Sequence, residues 1–151
     1  MRILIAEDDA ASRAILESFV IQWGHEPVSF PDGSTAMMAL RMKDAPPVAI
    51  LDWVMPGLDG IEICRRLRAV QKSTYLILVT SRNDRESLMQ GLEAGANDYV
   101  TKPFHKDELR VRLQAGVRFA QLQAALNQRV QELENALAEI KNLKGKLDMP
   151  I

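Results

Sequence analysis

Long apolar runs are missing from this 151-residue chain, and none approaches the roughly 20 residues that a bilayer-spanning helix needs. An excess of charge of one sign is missing as well. With 19 Lys and Arg against 20 Asp and Glu, the formal net charge is -1, which gives no overall pull toward nucleic acid or an anionic membrane. Cysteine is reduced to Cys64, so no internal disulfide can form. Without a signal-peptide pattern at the start, a cytoplasmic protein with no direct nucleic-acid or membrane partner is expected. Cys64 lacks a partner histidine and reads as a small core residue. His25 and His105 lie far apart beside helix ends and are not expected to ligate anything. The basic run Arg65-Arg66-Leu67-Arg68 reads as a solvated helix face.

Up to about residue 120, strand and helix patterns alternate. Arg2–Ala6 is apolar and precedes a helical spacing from Ala10 to Trp23 that stops at Gly24, a natural C-cap. Pro27–Phe30 is a short, weak strand. Asp32 then opens a helix that Pro46-Pro47 close. Val48–Leu51 is fully apolar, as a parallel strand covered on both faces should be. Asp59 is a plausible N-cap for Ile61–Val70, and Asn83 with Glu86 resembles a capping box for a helix running to Gly95. Five strand–helix units with short connections predict an α/β fold with a doubly wound parallel sheet. Spacing does not yield the strand order.

Breakers are scarce beyond Lys106, where only Gly116 interrupts the run before Gly145. Leu126, Val130, Leu133, Leu137, Ile140 and Leu147 alternate steps of four and three, with Lys144 at one seam position, which is a heptad stripe. Ala115, Phe119, Leu122 and Leu126 keep a similar rhythm, and the second consecutive step of four at Leu126–Val130 reads as a stutter. A helix from 106 to 144 would be about 60 Å long, more than a 120-residue domain can cover. We therefore expect one compact domain at 1–120 and a coiled-coil linker helix at 121–151 that pairs as a parallel homodimer. Arg129 and Glu134 stand at g and the following e position of its heptads.

Chemistry-bearing side chains cluster just past the strand patterns. Arg2–Ala6 is followed by Glu7-Asp8-Asp9, Val48–Leu51 by Asp52, Tyr75–Val79 by Thr80, and Asp98–Thr101 by Lys102-Pro103. In an open α/β sheet, ligands sit outside the carboxyl ends of the strands. Asp52 is the candidate nucleophile, since a carboxylate can accept a phosphoryl group as an acyl phosphate. Glu7 and Asp8 supply hard oxygens for Mg²⁺, Lys102 a cation and Thr80 a hydroxyl for phosphoryl oxygens. Trp53 either lines the mouth of the cleft or packs against a helix.

Four segments resemble the receiver domain of two-component response regulators: Ile3–Asp9, Leu51–Gly60, Leu78–Ser81 and Gly95–Phe104. The resemblance implies a flavodoxin-like five-stranded sheet of order 2-1-3-4-5 and a partner sensor histidine kinase that phosphorylates Asp52. It implies that Asp8, Asp52 and the backbone carbonyl of Val54 bind Mg²⁺, with Glu7 acting through water. Thr80 and Tyr99 look like the switch pair, and the fourth helix, fifth strand and fifth helix like an output and dimer face. Asp98, Glu108 and Arg112 match salt-bridge positions of dimeric transcription-factor receivers, whereas Gln90 replaces a base of that subgroup. Such a domain is no enzyme beyond its own phosphorylation and dephosphorylation. Val54 cannot orient a water, so a long-lived phosphoaspartate is expected. A haloacid-dehalogenase-type hydrolase is rejected, because Val54 stands where that family needs a second Asp. The alternatives are a phosphorylation-independent dimerisation scaffold, or a regulatory fragment of a diguanylate cyclase, kinase or phosphatase cut after Asp148-Met149-Pro150-Ile151.

Overall fold

Five strands rich in Ile, Leu and Val pair in parallel, in the order β2-β1-β3-β4-β5. The structure is a computed structural model that describes residues 1–148, so Met149, Pro150 and Ile151 lie outside the described residues. The strands are β1 (Arg2–Ala6), β2 (Glu26–Phe30), β3 (Val48–Asp52), β4 (Tyr75–Thr80) and β5 (Asp98–Thr101). Between and after them run α1 (Ala10–Gln22), α2 (Gly33–Arg41), α3 (Gly60–Ala69), α4 (Arg85–Glu93) and α5 (Lys106–Leu147). The expected α/β class and the strand order implied by the resemblance are both present.

Alternation along the strands divides the core between two faces. Leu4, Ala49, Leu51, Leu76 and Leu78 pack with α2, α3 and the end of α4. Ile3, Ile5, Val48, Ile50, Ile77 and Val79 pack instead with Leu16 and Val20 of α1 and Leu109 and Leu113 of α5. Cys64 is fully buried in the first of these layers, and burial pushes its thiol up to about 12.

Four of the five helix starts follow one device, an aspartate whose side chain accepts the backbone N–H three residues on. Asp9, Asp32 and Asp59 accept from Ser12, Thr35 and Glu62. The fourth cap corrects the capping-box expectation. Asp84, not Asn83, accepts from Ser87 N at 2.9 Å, and its other oxygen takes the Ser87 hydroxyl at 2.8 Å. The Asp carboxylate thus collects two bonds where Asn83 and Glu86 offered one each.

The basic run also departs from its expected solvated role at one position. Arg65 and Arg66 are exposed and pair with Glu62. Arg68 instead turns inward and donates to Gly95 O, Lys72 O, Thr74 O and Asn97 Oδ1 at 2.7–3.0 Å. It ties the turn after α3 to the turn before β5, because those carbonyls have no strand partners there.

Contacts group Met1–Ala120 as one compact unit and the chain from Gln121 as another. In the second unit, Leu122, Leu126, Val130, Leu133, Leu137, Ile140, Leu143 and Leu147 are all exposed along one helix. Arg129 lies 3.7 Å from Glu132 of its own chain, an exposed pair worth a fraction of a kcal/mol at most.

Candidate functional site at the strand ends

Sheet register brings the polar residues into line. Ala6 pairs with Leu51 and Asp52 with Val79, so Glu7, one residue beyond Ala6, falls beside Asp52. Thr80 pairs with Thr101, so Lys102 follows immediately on the next strand. Carboxylate oxygens of Glu7, Asp8 and Asp52 can all lie within 4.8 Å of one another. Lys102 Nζ sits 3.2 Å from Asp52 Oδ2 and 3.6 Å from Glu7 Oε2. The third acid of the first run, Asp9, is outside this cluster because it caps α1.

Burial sets the electrostatics. Glu7 is 2% exposed, and burial foremost, then its hydrogen bond to Asp52 and the Asp52 charge, raise its pKa to about 8 despite Lys102. Burial works against the Lys102 charge as well, but Asp52 and Glu7 outweigh it and hold its pKa above the ordinary value. Three carboxyl groups therefore share one ammonium, and a divalent cation would supply the positive charge that favours the ionised form of all three. The donor set is all hard oxygen, which suits Mg²⁺ and excludes a soft-metal preference.

Thr80 is 2% exposed and its Oγ1 accepts the Arg82 N–H at 3.2 Å. Tyr99 is turned inward, 9% exposed, and its hydroxyl donates to Arg82 O at 2.7 Å. Trp53 packs inside, edge-on to Tyr99 with ring centroids 6.1 Å apart, which decides between its two readings in favour of packing. Val54 follows it with an exposed side chain. The Lys102-Pro103 bond is cis. Asp98 meets Arg112 at 2.7 Å, and Arg112 also lies 3.5 Å from Glu108, so these three form an intrachain network.

Two arginines near the site escaped the sequence reading. Arg13 donates to Glu7 O at 2.8 Å and thereby fixes the end of β1. Arg82 carries its guanidinium 4.6 Å from the Trp53 ring centre. Its place two residues past Thr80, in a strand-end loop, was the available clue.

A doubly wound sheet with carboxylates, a hydroxyl and a lysine gathered at its carboxyl edge defines a flavodoxin-like domain with a cation- and phosphoryl-compatible pocket. Comparison narrows that class: residues 3–114 match the response regulator receiver domain, and the chain belongs to that family. It is 39% identical over 116 residues to the transcriptional regulatory protein AfsQ1 of Streptomyces coelicolor, a match covering 77% of this chain and 51% of AfsQ1. The chain spans about half the length of the curated relatives it matches. The receiver domain of the Francisella response regulator 1452 superposes with a TM-score of 0.74 at 29% identity, covering 81% of this chain and 98% of that one. The receiver domain of the Pseudomonas aeruginosa sensor histidine kinase PA1611 has a magnesium ion coordinated in its active-site cleft. It gives a TM-score of 0.68 at 28% identity, covering 77% of this chain and 96% of that domain. Among the described residues, no helix is long and apolar enough to cross a membrane.

Proposed function

We propose that Asp52 accepts a phosphoryl group from the phosphohistidine of a partner sensor kinase in the cytoplasm. The observation that carries this is the convergence of Glu7, Asp8 and Asp52 on one space, with the Lys102 ammonium 3.2 Å from Asp52. In the transfer, an Asp52 carboxylate oxygen attacks phosphorus while the phosphorus–nitrogen bond breaks, and its electron pair stays on the imidazole. Asp8, Asp52 and the backbone carbonyl of Val54 would hold Mg²⁺, with Glu7 acting through water. A bound Mg²⁺ supplies charge neutralisation for the carboxylate and phosphoryl oxygens. Lys102 then turns its ammonium from the carboxylates to one phosphoryl oxygen, and the Thr80 hydroxyl donates to another.

Thr80 and Tyr99 act as the switch, and the protein serves as a phosphoacceptor rather than as an enzyme on other substrates. The exposed heptad seam from Leu126 to Leu147 supports output through a homodimer of the C-terminal helix. Exposed Leu88, Met89, Leu92 and Val111 support a second contact on the α4–β5–α5 face.

Incubation with acetyl phosphate and Mg²⁺ should add one phosphoryl mass to the intact protein. Asp52→Ala should abolish the gain, and a variant that still gains it overturns the assignment.

A further inference from the structure

One residue ties the loop between β4 and α4 to the pocket. Arg82 donates its backbone N–H to Thr80 Oγ1 at 3.2 Å and accepts the Tyr99 hydroxyl on its carbonyl at 2.7 Å. Its guanidinium lies over the Trp53 ring, 4.6 Å from the centre. Trp53 is a rigid platform. It is 3% exposed, donates its N–H to Val79 O at 3.2 Å, and accepts Gly60 N on its carbonyl at 2.8 Å. The side chain of Arg82 and both its backbone polar groups therefore end on Trp53, Thr80 and Tyr99.

We propose that Arg82 is a positioning residue for phosphoryl acceptance, its cation clamping the loop onto Trp53 and thereby holding the Thr80 hydroxyl and Tyr99 in place. The inference rests on the phosphoacceptor reading of Asp52. A hydroxyl that accepts from a backbone N–H keeps its own proton free to donate. With Oγ1 held by Arg82 N, the Thr80 proton remains available for a phosphoryl oxygen on the neighbouring strand end. Arg82 is itself exposed, so its loop is held by this stack and by the two backbone bonds rather than by burial. Releasing the stack lowers the fraction of molecules with the hydroxyl in place and leaves the acidic cluster untouched. A surface cation–π contact of ~0.5–1 kcal/mol corresponds to about a two- to fivefold change in that fraction.

The test compares wild type, Arg82→Met, Arg82→Lys, Trp53→Leu and the Arg82→Met/Trp53→Leu double variant. Phosphorylation at saturating acetyl phosphate and Mg²⁺ is followed by intact mass. A Trp23→Phe background leaves Trp53 as the single indole, because the chain has 2 tryptophans. Arg82→Met should alter Trp53 emission and slow phosphorylation about two- to fivefold, with an unchanged Mg²⁺ dependence. Arg82→Lys, which keeps a cation over the ring, should retain most of the rate. In the Trp53→Leu background, Arg82→Met should cost nothing further. A rate for Arg82→Met within about 1.5-fold of wild type overturns the proposal. So does an equal loss in Arg82→Lys, or the same loss with Trp53 already removed. A wild-type protein that gains no phosphoryl mass overturns the reading of Asp52 itself, a result distinct from an indifferent Arg82.

Discussion

Glu7 is the side chain whose behaviour in solution is most sharply determined by the geometry. It is 2% exposed beside Asp52, and its pKa is raised from 4.5 to about 8, chiefly by burial and then by its bond to and charge repulsion from Asp52. The folded, metal-free protein therefore holds a proton on Glu7 that the unfolded chain has released. Because the folded value lies above the unfolded one, the favourable contribution is complete below 4.5 and disappears as pH rises to about 8. The slope is at most about 1.4 kcal/mol per pH unit over that window. A divalent cation drawn to the same carboxylates must displace the proton. At pH 7 a group of this pKa is protonated in about ten molecules for each ionised one, so binding should release close to one proton. Mg²⁺ affinity should rise about tenfold per pH unit up to about 8 and flatten above it. Calorimetric titration in two buffers of different ionisation enthalpy measures the proton release directly. In Glu7→Gln both the release and the pH slope should vanish. An affinity that is flat between about pH 6 and 8, with no buffer-dependent heat, would refute the assignment of a buried, proton-holding Glu7.

Four further outcomes follow from named contacts. Arg68→Ala strips four acceptors of one guanidinium and should cost about 2–4 kcal/mol in urea unfolding, with the Gly95, Lys72 and Thr74 carbonyls losing its N–H groups while Asn97 Oδ1 keeps the Leu76 N–H. A Cβ on Gly60 would stand 2.4 Å from Asp52 O, so Gly60→Ala should destabilise by about 1–3 kcal/mol and slow phosphorylation by displacing the end of β3. Val54→Asn offers a donor and acceptor where an exposed apolar side chain now stands, and hydrolysis of the phosphoaspartate should accelerate about fivefold, the equivalent of one oriented hydrogen bond. Leu133→Lys places a charge in the middle of the exposed seam and should weaken homodimerisation by about 2 kcal/mol or more in sedimentation; an unchanged dimer constant would show that the seam is not the interface.

Reading this chain worked where the determinant is local. Apolar runs terminated by acids, a hydroxyl or a lysine mark strand ends, and a parallel sheet aligns such ends whatever the loops between them do. Glu7, Asp52 and Lys102 could therefore be anticipated together although they stand at the ends of three different strands. The Asp32 and Asp59 caps were readable for the same reason, since donor and acceptor are three residues apart. Strand order was not contained in spacing and came only with the resemblance. What escaped depends on contacts between distant segments. Arg68 is written in one basic run with Arg65 and Arg66, but it stands four residues after buried Cys64, and the carbonyls just before β4 and β5 that take its guanidinium come from distant segments. Asp84 beats Asn83 as a cap because Ser87 returns a second hydrogen bond to it.

The same distinction bears on control of the site. Its composition is written at strand ends, where a substitution removes an acid, a hydroxyl or the ammonium outright. Its geometry is held by side chains such as Arg13 and Arg82 that reach back from a helix and a loop. Each of those contacts is exposed or half-buried and individually weak, so each can be exchanged without disturbing the core. On the proposed phosphoacceptor role of Asp52, substitutions at these flanking positions should change the rate of phosphorylation while leaving the acids and Lys102 in place.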